Sequence, residues 1–341
     1  MIDGCPSGIL LSEQDIEESL QVRSPGRNIY TSQRKEQDKG EILSGVFEGK
    51  TTGAPIAILI RNQDADSSQY TSIKNLYRPG HANFAYLEKY GVFDYRGGGR
   101  ASARETAARV AAGAVAKKLL AHYQIECVAY IDEIAGIQGE TIDESDLPAL
   151  RQKTLASPIF CPCEKTAPQM MKRIEEVGGE GDSVGGIVAC LAHIPVGLGD
   201  PVYQKLEATL AFAMLSIPAS KGFEIGSGFA SSRMKGSEHN DAFEIIHGKV
   251  QTATSTLGGI STGSPLFFRV AFKPTSSIKK VQQTVSLTGE RATFQIPPSG
   301  RHDPCVAIRA VPVVEAMTAL VLADAVLMNT TSRLSGMFSP I

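Results

Sequence analysis

The stretch from Tyr95 to Thr106 combines arginines and glycines in a pattern that favours binding of an anion. Its three consecutive glycines allow backbone N–H groups to converge on an anion without obstruction by side chains. A helix predicted from Ala103 to Ala121 would present the positive end of its dipole to the same place. Arg104 stands in the first turn of that helix, where a cation costs about 0.3–1 kcal/mol unless an anion binds nearby. The stretch matches neither a Walker A loop nor a Gly-x-Gly-x-x-Gly turn, so it predicts an anion site outside the common nucleotide folds.

A proline-glycine turn at Pro79-Gly80 precedes this stretch and can hold Arg78 and His81 toward one pocket. A histidine in such a place is structural about as often as it is functional. The later segment Lys273 to Ser277 follows a predicted strand with three adjacent hydroxyl groups. These hydroxyls suit a terminal phosphate, and they suit an ordinary loop equally well.

The segment from Gly300 to Cys305 brings a cation, an imidazole and a carboxylate together just before a predicted helix. Its Asp303 could cap that helix, or it could face a ligand. Arg309, one to two turns farther on, could pair with Glu315 or contact the same ligand. Ser102 and Glu105 have the spacing of a helix capping box, which is a structural alternative to a ligand contact by Ser102.

The overall composition is that of an ordinary globular protein without a large charged surface. The formal net charge of −2 at pH 7 gives no indication of a nucleic-acid or membrane partner. None of the six cysteines forms a Cys-x-x-Cys pair, and Cys161-Pro162-Cys163 has the wrong spacing for a usual zinc site. We therefore predict free thiols and no bound metal. We also expect no membrane span and no secretory signal, which together favour a cytoplasmic protein.

The pattern of apolar residues predicts an α+β protein with antiparallel hairpins. Predicted helices cover residues 9–22, 103–121, 167–177, 203–214 and 311–328, and predicted strands cover 127–137 and 185–194. Hairpins are predicted at 41–62 and again at 245–273, where Thr262-Gly263-Ser264-Pro265 repeats the pattern of Thr52-Gly53-Ala54-Pro55. Because no linker-like segment divides the chain, we predict one domain, 1–341, with two pseudo-repeats at roughly 1–200 and 201–330.

Taken together, these segments resemble the chorismate synthase family. The matching stretches follow the family's order over nearly the whole chain: Asp3-Gly4, Leu43-Ser44-Gly45, Tyr77 to Ala82, Asp94 to Thr106, Lys273 to Ser277 and Arg301 to Pro312. The combination of Arg-Gly-Gly-Gly-Arg with Arg-His-Asp-Pro-Cys is the most specific part of the match. The resemblance implies a β-α-β sandwich built from two related halves, with helices between antiparallel sheets, and assembly as a homotetramer.

The resemblance also implies a lyase activity that ends the shikimate pathway to the aromatic amino acids. Family members convert 5-enolpyruvylshikimate 3-phosphate to chorismate and phosphate by an anti-1,4 elimination that requires reduced FMN. The reaction has no net redox change, and the flavin is thought to lend an electron transiently. A substrate with two carboxylates and a phosphate would explain an arginine-rich pocket in a nearly neutral protein. The sequence leaves open whether NADPH reduces the FMN on this protein or another reductase does so.

Carried over position by position, the resemblance assigns roles to individual residues. His81 would protonate the flavin ring or stabilise its charge, Asp303 would assist the flavin as a base, and Ser102 would contribute a hydroxyl. The substrate-binding residues would be Arg78, Arg104 and Arg301, with Arg23 and Arg27 as further candidates from a polar segment. The flavin contacts would be Arg100, Ala101, Ser102, Pro218, Ala219, Gly258, Lys273, Pro274, Thr275, Ser276, Ser277 and Arg301.

The sequence departs from the family near its start. Family members carry a Gly-Glu-Ser-His-Gly segment upstream of the stretch that matches Ile2-Asp3-Gly4, and this sequence does not contain that segment. Its histidine is the family's proposed acid toward the departing phosphate, and loss of a general acid costs about 10²–10⁴ in rate. We expect a start site placed too late, because the other motifs are intact. Smaller departures are Ala101, where a second Ser is common, and Ile29, where some members have an Arg for which Arg27 could compensate.

Two alternatives stand beside the enzyme. The first is an FMN-binding but catalytically impaired form that lacks the general-acid histidine. The second is an unrelated protein that binds nucleotide phosphates, which would bind ATP or NAD(P) tightly without FMN.

Overall fold

The computed structural model describes residues 1–34, 38–62, 67–96, 99–246, 248–297 and 302–334. Within these ranges the helices are α1 (Glu13–Arg23), α2 (Asn83–Tyr90), α3 (Thr106–Ala121), α4 (Leu147–Ala156), α5 (Ala167–Gly179), α6 (Leu206–Leu215), α7 (Gly236–His239) and α8 (Val306–Asn329). The strands are β1 (Gly40–Ile42), β2 (Val46–Phe47), β3 (Lys50–Thr51), β4 (Ile58–Ile60), β5 (Glu126–Ile134), β6 (Ile137–Gln138), β7 (Gly186–His193), β8 (Ser220–Ile225), β9 (Glu244–Ile246), β10 (Lys249–Gln251), β11 (Thr256–Leu257), β12 (Ile260–Ser261), β13 (Leu266–Phe272), β14 (Gln282–Val285) and β15 (Arg291–Phe294). Short 3-10 turns lie at Ser67–Ile73, Ala103–Glu105 and Gly228–Arg233.

The helices predicted from the sequence are present, with their ends shifted. The hairpin predicted at 41–62 is present as the pairs β1–β4 and β2–β3. The hairpin predicted at 245–273 is wrong, because β9 and β10 pair with each other and β13 pairs instead with β7 and β8. Ser12 caps α1: its hydroxyl accepts the Asp15 N–H, and the Asp15 carboxylate accepts the Ser12 N–H at 2.9 Å. The predicted strand 127–137 is instead the β5–β6 hairpin. It turns at Ala135 and Gly136, which both have positive φ, a backbone region that a continuous strand cannot contain.

Three helices, α2, α4 and the single-turn α7, were missed by the sequence analysis, the first two for different reasons. α2 follows Ala82, which has no side chain that could cap a helix, so the usual start signal is absent. α4 does carry that signal, because Asp146 accepts the Ala149 N–H at 2.8 Å and Pro148 occupies the first turn.

A five-stranded antiparallel sheet in the order β6-β5-β7-β13-β8 forms one layer of the protein. β13 lies between β7 and β8, and its Leu266 and Phe268 stand opposite Ala192 and Cys190 of β7. Burial alternates along β13, so that one face joins the hydrophobic core and the other faces outward. β13 ends at Phe272, and the sheet thereby delivers the following Lys273 segment to one edge of the core.

The helices α3 and α8 lie side by side between this sheet and the small sheets of the N-terminal third. A Cβ atom at Gly113 of α3 would overlap Ala316 of α8, so small residues allow the two helices to approach closely. On its other side α3 places Val115 in a cluster with Leu11 and Ile56, beneath the β1–β4 hairpin. The order of layers is sheet, helices, sheet, and the predicted α+β class with helices between antiparallel sheets is confirmed.

Of the two carboxylates in α8, Asp324 is exposed and Glu315 is buried, at 8% exposure. Its Oε1 pairs with Lys117 Nζ at 2.5 Å and with Arg151 Nη1 at 3.2 Å, and its Oε2 accepts the Ala129 N–H at 3.1 Å. Burial raises the pKa of this carboxyl, but the two cations and the hydrogen bonds outweigh it and hold the pKa at about 2. Glu315 therefore ties α8 to α3, α4 and β5 as an ion.

The two Thr-Gly turns noted in the sequence occupy matching local structures. The Thr51 hydroxyl donates to the Pro6 carbonyl at 2.6 Å, and the Ser261 hydroxyl donates to the Pro195 carbonyl at 2.6 Å. The Thr51 hydroxyl also accepts the Ile9 N–H at 3.0 Å, and the Ser261 hydroxyl accepts the Leu198 N–H at 2.8 Å. In both cases the N–H belongs to the third residue after the proline. Because the paired segments lie far apart in the chain, these matched bonds reveal a local structural repeat. The predicted division into two pseudo-repeats stays a prediction.

Among the described residues one helix, α8, is long and apolar enough by length and composition to cross a membrane. In the structure 61% of its most apolar window is buried within the protein. A buried core helix meets the same criteria of length and composition.

Candidate active site

One cavity of about 540 Å³ gathers most of the residues singled out in the sequence. Its volume lies within the range of about 300–1,000 Å³ that is usual for small-molecule sites. The predicted site residues in its wall are Arg23, Arg78, His81, Arg100, Ala101, Ser102, Arg104, Pro218, Ala219, Lys273, Pro274, Thr275, Ser276, Ser277 and Asp303. Segments far apart in the sequence therefore meet at the N-terminal ends of α3 and α8 and at the end of β13.

The proline-glycine turn and the Lys273 segment form one wall of the cavity together. Arg78 Nη2 donates to Ser277 Oγ at 3.0 Å, and Lys273 Nζ donates to the Gly80 carbonyl at 2.9 Å. Gly80 has φ +67°, and a Cβ there would lie 3.0 Å from the Ser276 Cβ. Glycine is therefore required both by the turn and by the close approach of the two segments. The wall presents two cations and a row of hydroxyl groups.

His81 belongs to the same wall and is neutral near pH 7. Burial first, and then the positive charges of Arg78 and Lys273, lower the pKa of His81 to about 4. Its Nδ1 accepts the Asn83 N–H at 3.3 Å, so the proton of the neutral ring lies on Nε2. Nε2 is thus a hydrogen-bond donor, and an anion bound nearby would raise the pKa of the ring.

A buried carboxylate, Asp38, organises the arginines on the opposite wall. It forms ion pairs with Arg23 Nη1 at 2.8 Å and with Arg104 Nη1, and its side chain is fully buried. Arg23 also donates to the Thr106 hydroxyl and to the Ala103 carbonyl, each at 3.0 Å. The positive charge of Arg104, which opposes the dipole of α3, is therefore balanced by the Asp38 carboxylate from another segment. No signal in the sequence had pointed to Asp38, because its partners lie 15 and 66 residues away.

Asp303 joins three segments at the cavity. Its Oδ1 accepts the Ser32 N–H at 2.8 Å, its Oδ2 accepts from Arg309 Nη1 at 3.0 Å, and its carbonyl accepts from the Thr275 hydroxyl at 2.9 Å. Arg309 therefore pairs with Asp303. The pair between Arg309 and Glu315, which the sequence analysis offered as one alternative, is wrong. Arg309 itself lies in the wall of the cavity, so Asp303 and Arg309 together place a carboxylate and a cation there.

The turn at Pro218-Ala219 closes another side of the cavity. Ala219 has φ +71°, which is rare for a residue with a side chain, and its carbonyl accepts the Lys273 N–H at 3.0 Å. Arg109 of α3 fixes the start of this turn by donating to the Ser216 hydroxyl at 2.6 Å and to its carbonyl at 3.0 Å. The turn is thus tied to the same helix that begins at the glycine-rich stretch.

Three predicted contacts are not part of this cavity as described. Arg27 lies against the Phe160 ring, 4.4 Å from its centroid, and donates to the Val22 carbonyl. Gly258 forms the β11–β12 turn, away from the cavity wall. Arg301, together with Gly97 and Gly98 of the glycine-rich stretch, lies outside the described residues. Wall residues that the sequence analysis had not assigned to the site include Ser32, Arg34, Asn62, Tyr70, Tyr86, Arg96 and Ser216. Arg309, one of whose two sequence-based alternatives was a ligand contact, and His302 also lie in the wall.

Comparison with known proteins agrees with this arrangement over the whole fold. The family model described as "Chorismate synthase" matches residues 1–327. The chain belongs to the chorismate synthase family. It is 57% identical to the chorismate synthase of Protochlamydia amoebophila (strain UWE25), over 98% of this chain and 93% of that protein. It is 49% identical to the chorismate synthase of Methanosarcina mazei, over 95% of this chain and 89% of that protein.

A solved structure titled "Crystal Structure of Chorismate Synthase" matches the fold with a TM-score of 0.73. The sequence identity is 32%, and the match covers 98% of this chain and 89% of that chain. The resemblance on which the sequence analysis relied is therefore confirmed. These relatives carry the name of the enzyme, and they give no support to the alternative of an impaired flavin-binding form. The roles assigned to individual residues stay predictions.

Proposed function

We propose that this protein catalyses the anti-1,4 elimination of phosphate from 5-enolpyruvylshikimate 3-phosphate to give chorismate, with reduced FMN bound in the same cavity. The observation that carries the proposal is the set of cations converging on one cavity of a nearly neutral protein: Arg34, Arg78, Arg96, Arg100, Arg104, Lys273 and Arg309. A substrate with two carboxylates and a phosphate needs several such groups. Membership of the family indicates the reaction, and this set of cations suits the substrate of that reaction.

The cavity wall fits the phosphate of a flavin mononucleotide. Ser276 and Ser277 offer hydroxyl groups beside the Lys273 ammonium. Arg78 Nε is buried without a hydrogen-bond partner within the described structure, and a buried unsatisfied donor is costly unless a ligand completes it. We assign the phosphate of FMN to this wall, so that Arg78, which the resemblance gave to the substrate, contacts FMN in this proposal. When bound, reduced FMN supplies a transient electron and takes part in removal of the ring hydrogen.

The arginines on the opposite wall position the substrate. Arg104 is held by Asp38 on one side, and its Nη2 donates to the Arg61 carbonyl at 2.9 Å. A guanidinium fixed in this way pays little further entropy on binding a carboxylate or phosphate. Ser102 accepts the Arg104 N–H at 3.2 Å, and its hydroxyl proton stays available to an acceptor in the cavity.

Proton movement is assigned to His81 and Asp303. The His81 ring is neutral before ligands bind and donates from Nε2. The charge of bound anions raises its pKa toward the range in which it can transfer a proton. Asp303 supplies a carboxylate in the wall, and its contacts with Ser32 and Arg309 hold that carboxylate in place. It acts as the base that assists the flavin.

We further propose a cytoplasmic homotetramer. Support for assembly comes from large apolar side chains that are exposed in the single chain, including Phe212 at 81% and Ile245 at 78% exposure. Free cysteines suit a reducing compartment. Light scattering that gives four times the chain mass would support the tetramer, and a monomer would contradict it. Incubation of FMN and NADPH with this protein alone tests whether NADPH is its reductant.

Phosphate release under anaerobic conditions, with chemically reduced FMN and the substrate, tests the proposed function. We expect release that depends on both FMN and substrate and that falls by at least tenfold in an Arg104→Ala variant. The exposed Lys172, part of a surface ion pair on α5, supplies a matched control, because Lys172→Ala should leave release unchanged. FMN binding without phosphate release would favour the impaired form. Tight binding of ATP or NAD(P) without FMN would favour an unrelated nucleotide-binding protein.

A further inference from the structure

His302 lies in a wall that separates the active-site cavity from a second one. The second cavity has a volume of about 380 Å³, and Ser277, His302 and Asp303 line both cavities. The proposed function gives roles to Ser277 and Asp303 but none to the imidazole between them. His302 is therefore a titratable group of the site that the reaction, as described above, does not use.

The ring of His302 differs from the neighbouring groups in its hydrogen bonding. Asp303 is held by Ser32 and Arg309, and His81 accepts a backbone N–H. Among the described residues, neither ring nitrogen of His302 has a hydrogen-bond partner. Neither nitrogen is completely shielded from solvent. The nitrogens therefore reach cavity space, where a ligand or water can bond to them.

The charges around His302 favour the neutral ring while no anion is bound. Burial first, then the cations of Arg78 and Arg34, lower the pKa of His302 to about 4, and the Asp303 carboxylate opposes them. Arg309 already pairs with that carboxylate, which limits its effect. The lining of the second cavity adds the charged residues Glu175, Asp182 and Lys279. A ligand that neutralised the charges of Arg78 and Arg34 would therefore raise the pKa of this ring most.

We propose that His302 takes up a proton from solvent when an anionic ligand fills the active-site cavity, and that the resulting imidazolium donates a hydrogen bond to that ligand. The inference rests on the proposed function, since it requires an anionic ligand between Arg78, Arg34 and the ring. A phosphate or carboxylate oxygen is the group recognised. It can come from FMN or from the substrate.

Proton uptake on binding tests this proposal without turnover. Calorimetric titrations at pH 7 in two buffers of different ionisation enthalpy give the number of protons taken up. Oxidised FMN is added first, and 5-enolpyruvylshikimate 3-phosphate is then added to the FMN complex. A ring that changes from a pKa of about 4 to one above 7 takes up close to one proton. We expect His302→Gln to lose most of one proton in one of the two steps, and that step identifies the ligand.

The matched control is His122→Gln, since His122 is exposed and lies at the opposite end of α3 from the cavity. Its proton uptake should equal that of the unmodified protein. Equal uptake by the His302→Gln variant, with both ligands bound, would overturn the proposal. Failure of the unmodified protein to bind FMN or substrate would instead contradict the proposed function.

A second measurement uses the unmodified protein and does not depend on the folding of a variant. With ¹³C-labelled histidine, the His302 ring signal should titrate below pH 5 in the free protein and above pH 7 in the ligand complex. The His122 signal provides the reference, because that ring is exposed and lies at the opposite end of α3 from the cavity. A His302 signal that titrates at the same pH with and without both ligands would contradict the proposal.

Discussion

Replacing Asp38 by Asn removes one negative charge from the interior while keeping the size and shape of the side chain. The Asp38 side chain is fully buried, and its partners Arg23 and Arg104 are 1% and 17% exposed. Removing one partner from such a buried pair costs about 3–5 kcal/mol, because the remaining charges are poorly solvated. With a denaturant slope of about 3 kcal/mol/M, the midpoint of urea unfolding should fall by about 1–1.7 M.

The assay is urea unfolding followed by circular dichroism, with affinity for the substrate measured in parallel. Glu41→Gln is the matched control, because Glu41 pairs with Arg61 on the surface, where the side chains are 45% and 64% exposed. Such an exposed pair contributes little to stability, because solvent and salt screen it. We expect the Asp38→Asn variant also to bind substrate more weakly, since Arg104 loses the group that orients it. A loss no greater than that of Glu41→Gln would refute the role given to the buried carboxylate.

Four further predictions follow from the same contacts. Arg104→Ala should weaken substrate binding more than FMN binding in titrations with each ligand; an effect on thermal stability alone would count against a ligand role. Asp303→Asn should leave FMN affinity nearly intact while turnover falls, and equal loss of both would make Asp303 structural. Arg109→Gln frees the start of the turn at 216–219, so FMN affinity should fall with little change in substrate affinity in the FMN-saturated protein. Because the pKa of Glu315 is depressed to about 2, its contribution to stability is complete above about pH 4.5 and is lost as pH falls toward 2; acid unfolding of Glu315→Gln should lack this component, and an unchanged acid profile would contradict it.

Local signals in the sequence were sufficient for much of the fold and for part of the site. The helix α3 and the strand β7 each depend on neighbours within a few positions, so the local pattern of apolar residues revealed them. The turn at Pro79-Gly80 pointed to Arg78 and His81 in the same way. The cavity confirms that these segments meet.

The features that the sequence did not reveal depend on contacts between distant segments. Asp38 is one acidic residue in a polar stretch until the fold brings Arg104 to it, 66 residues away. His302 was seen beside Asp303, but its place between two cavities, near the charges of Arg78 and Arg34, depends on how distant segments fold together. Gly258, assigned from the family, lies in a turn away from the cavity of the single chain, and nothing in its local sequence could show that position.

The central claim is that one cavity releases phosphate from the substrate without consuming the flavin's electrons. An anaerobic single turnover, with enzyme-bound reduced FMN in excess over 5-enolpyruvylshikimate 3-phosphate, measures this most directly. The account predicts equal amounts of phosphate and chorismate, and a flavin absorbance spectrum that is reduced at the end as at the start. Absence of phosphate, or oxidation of one flavin for each substrate consumed, would contradict it.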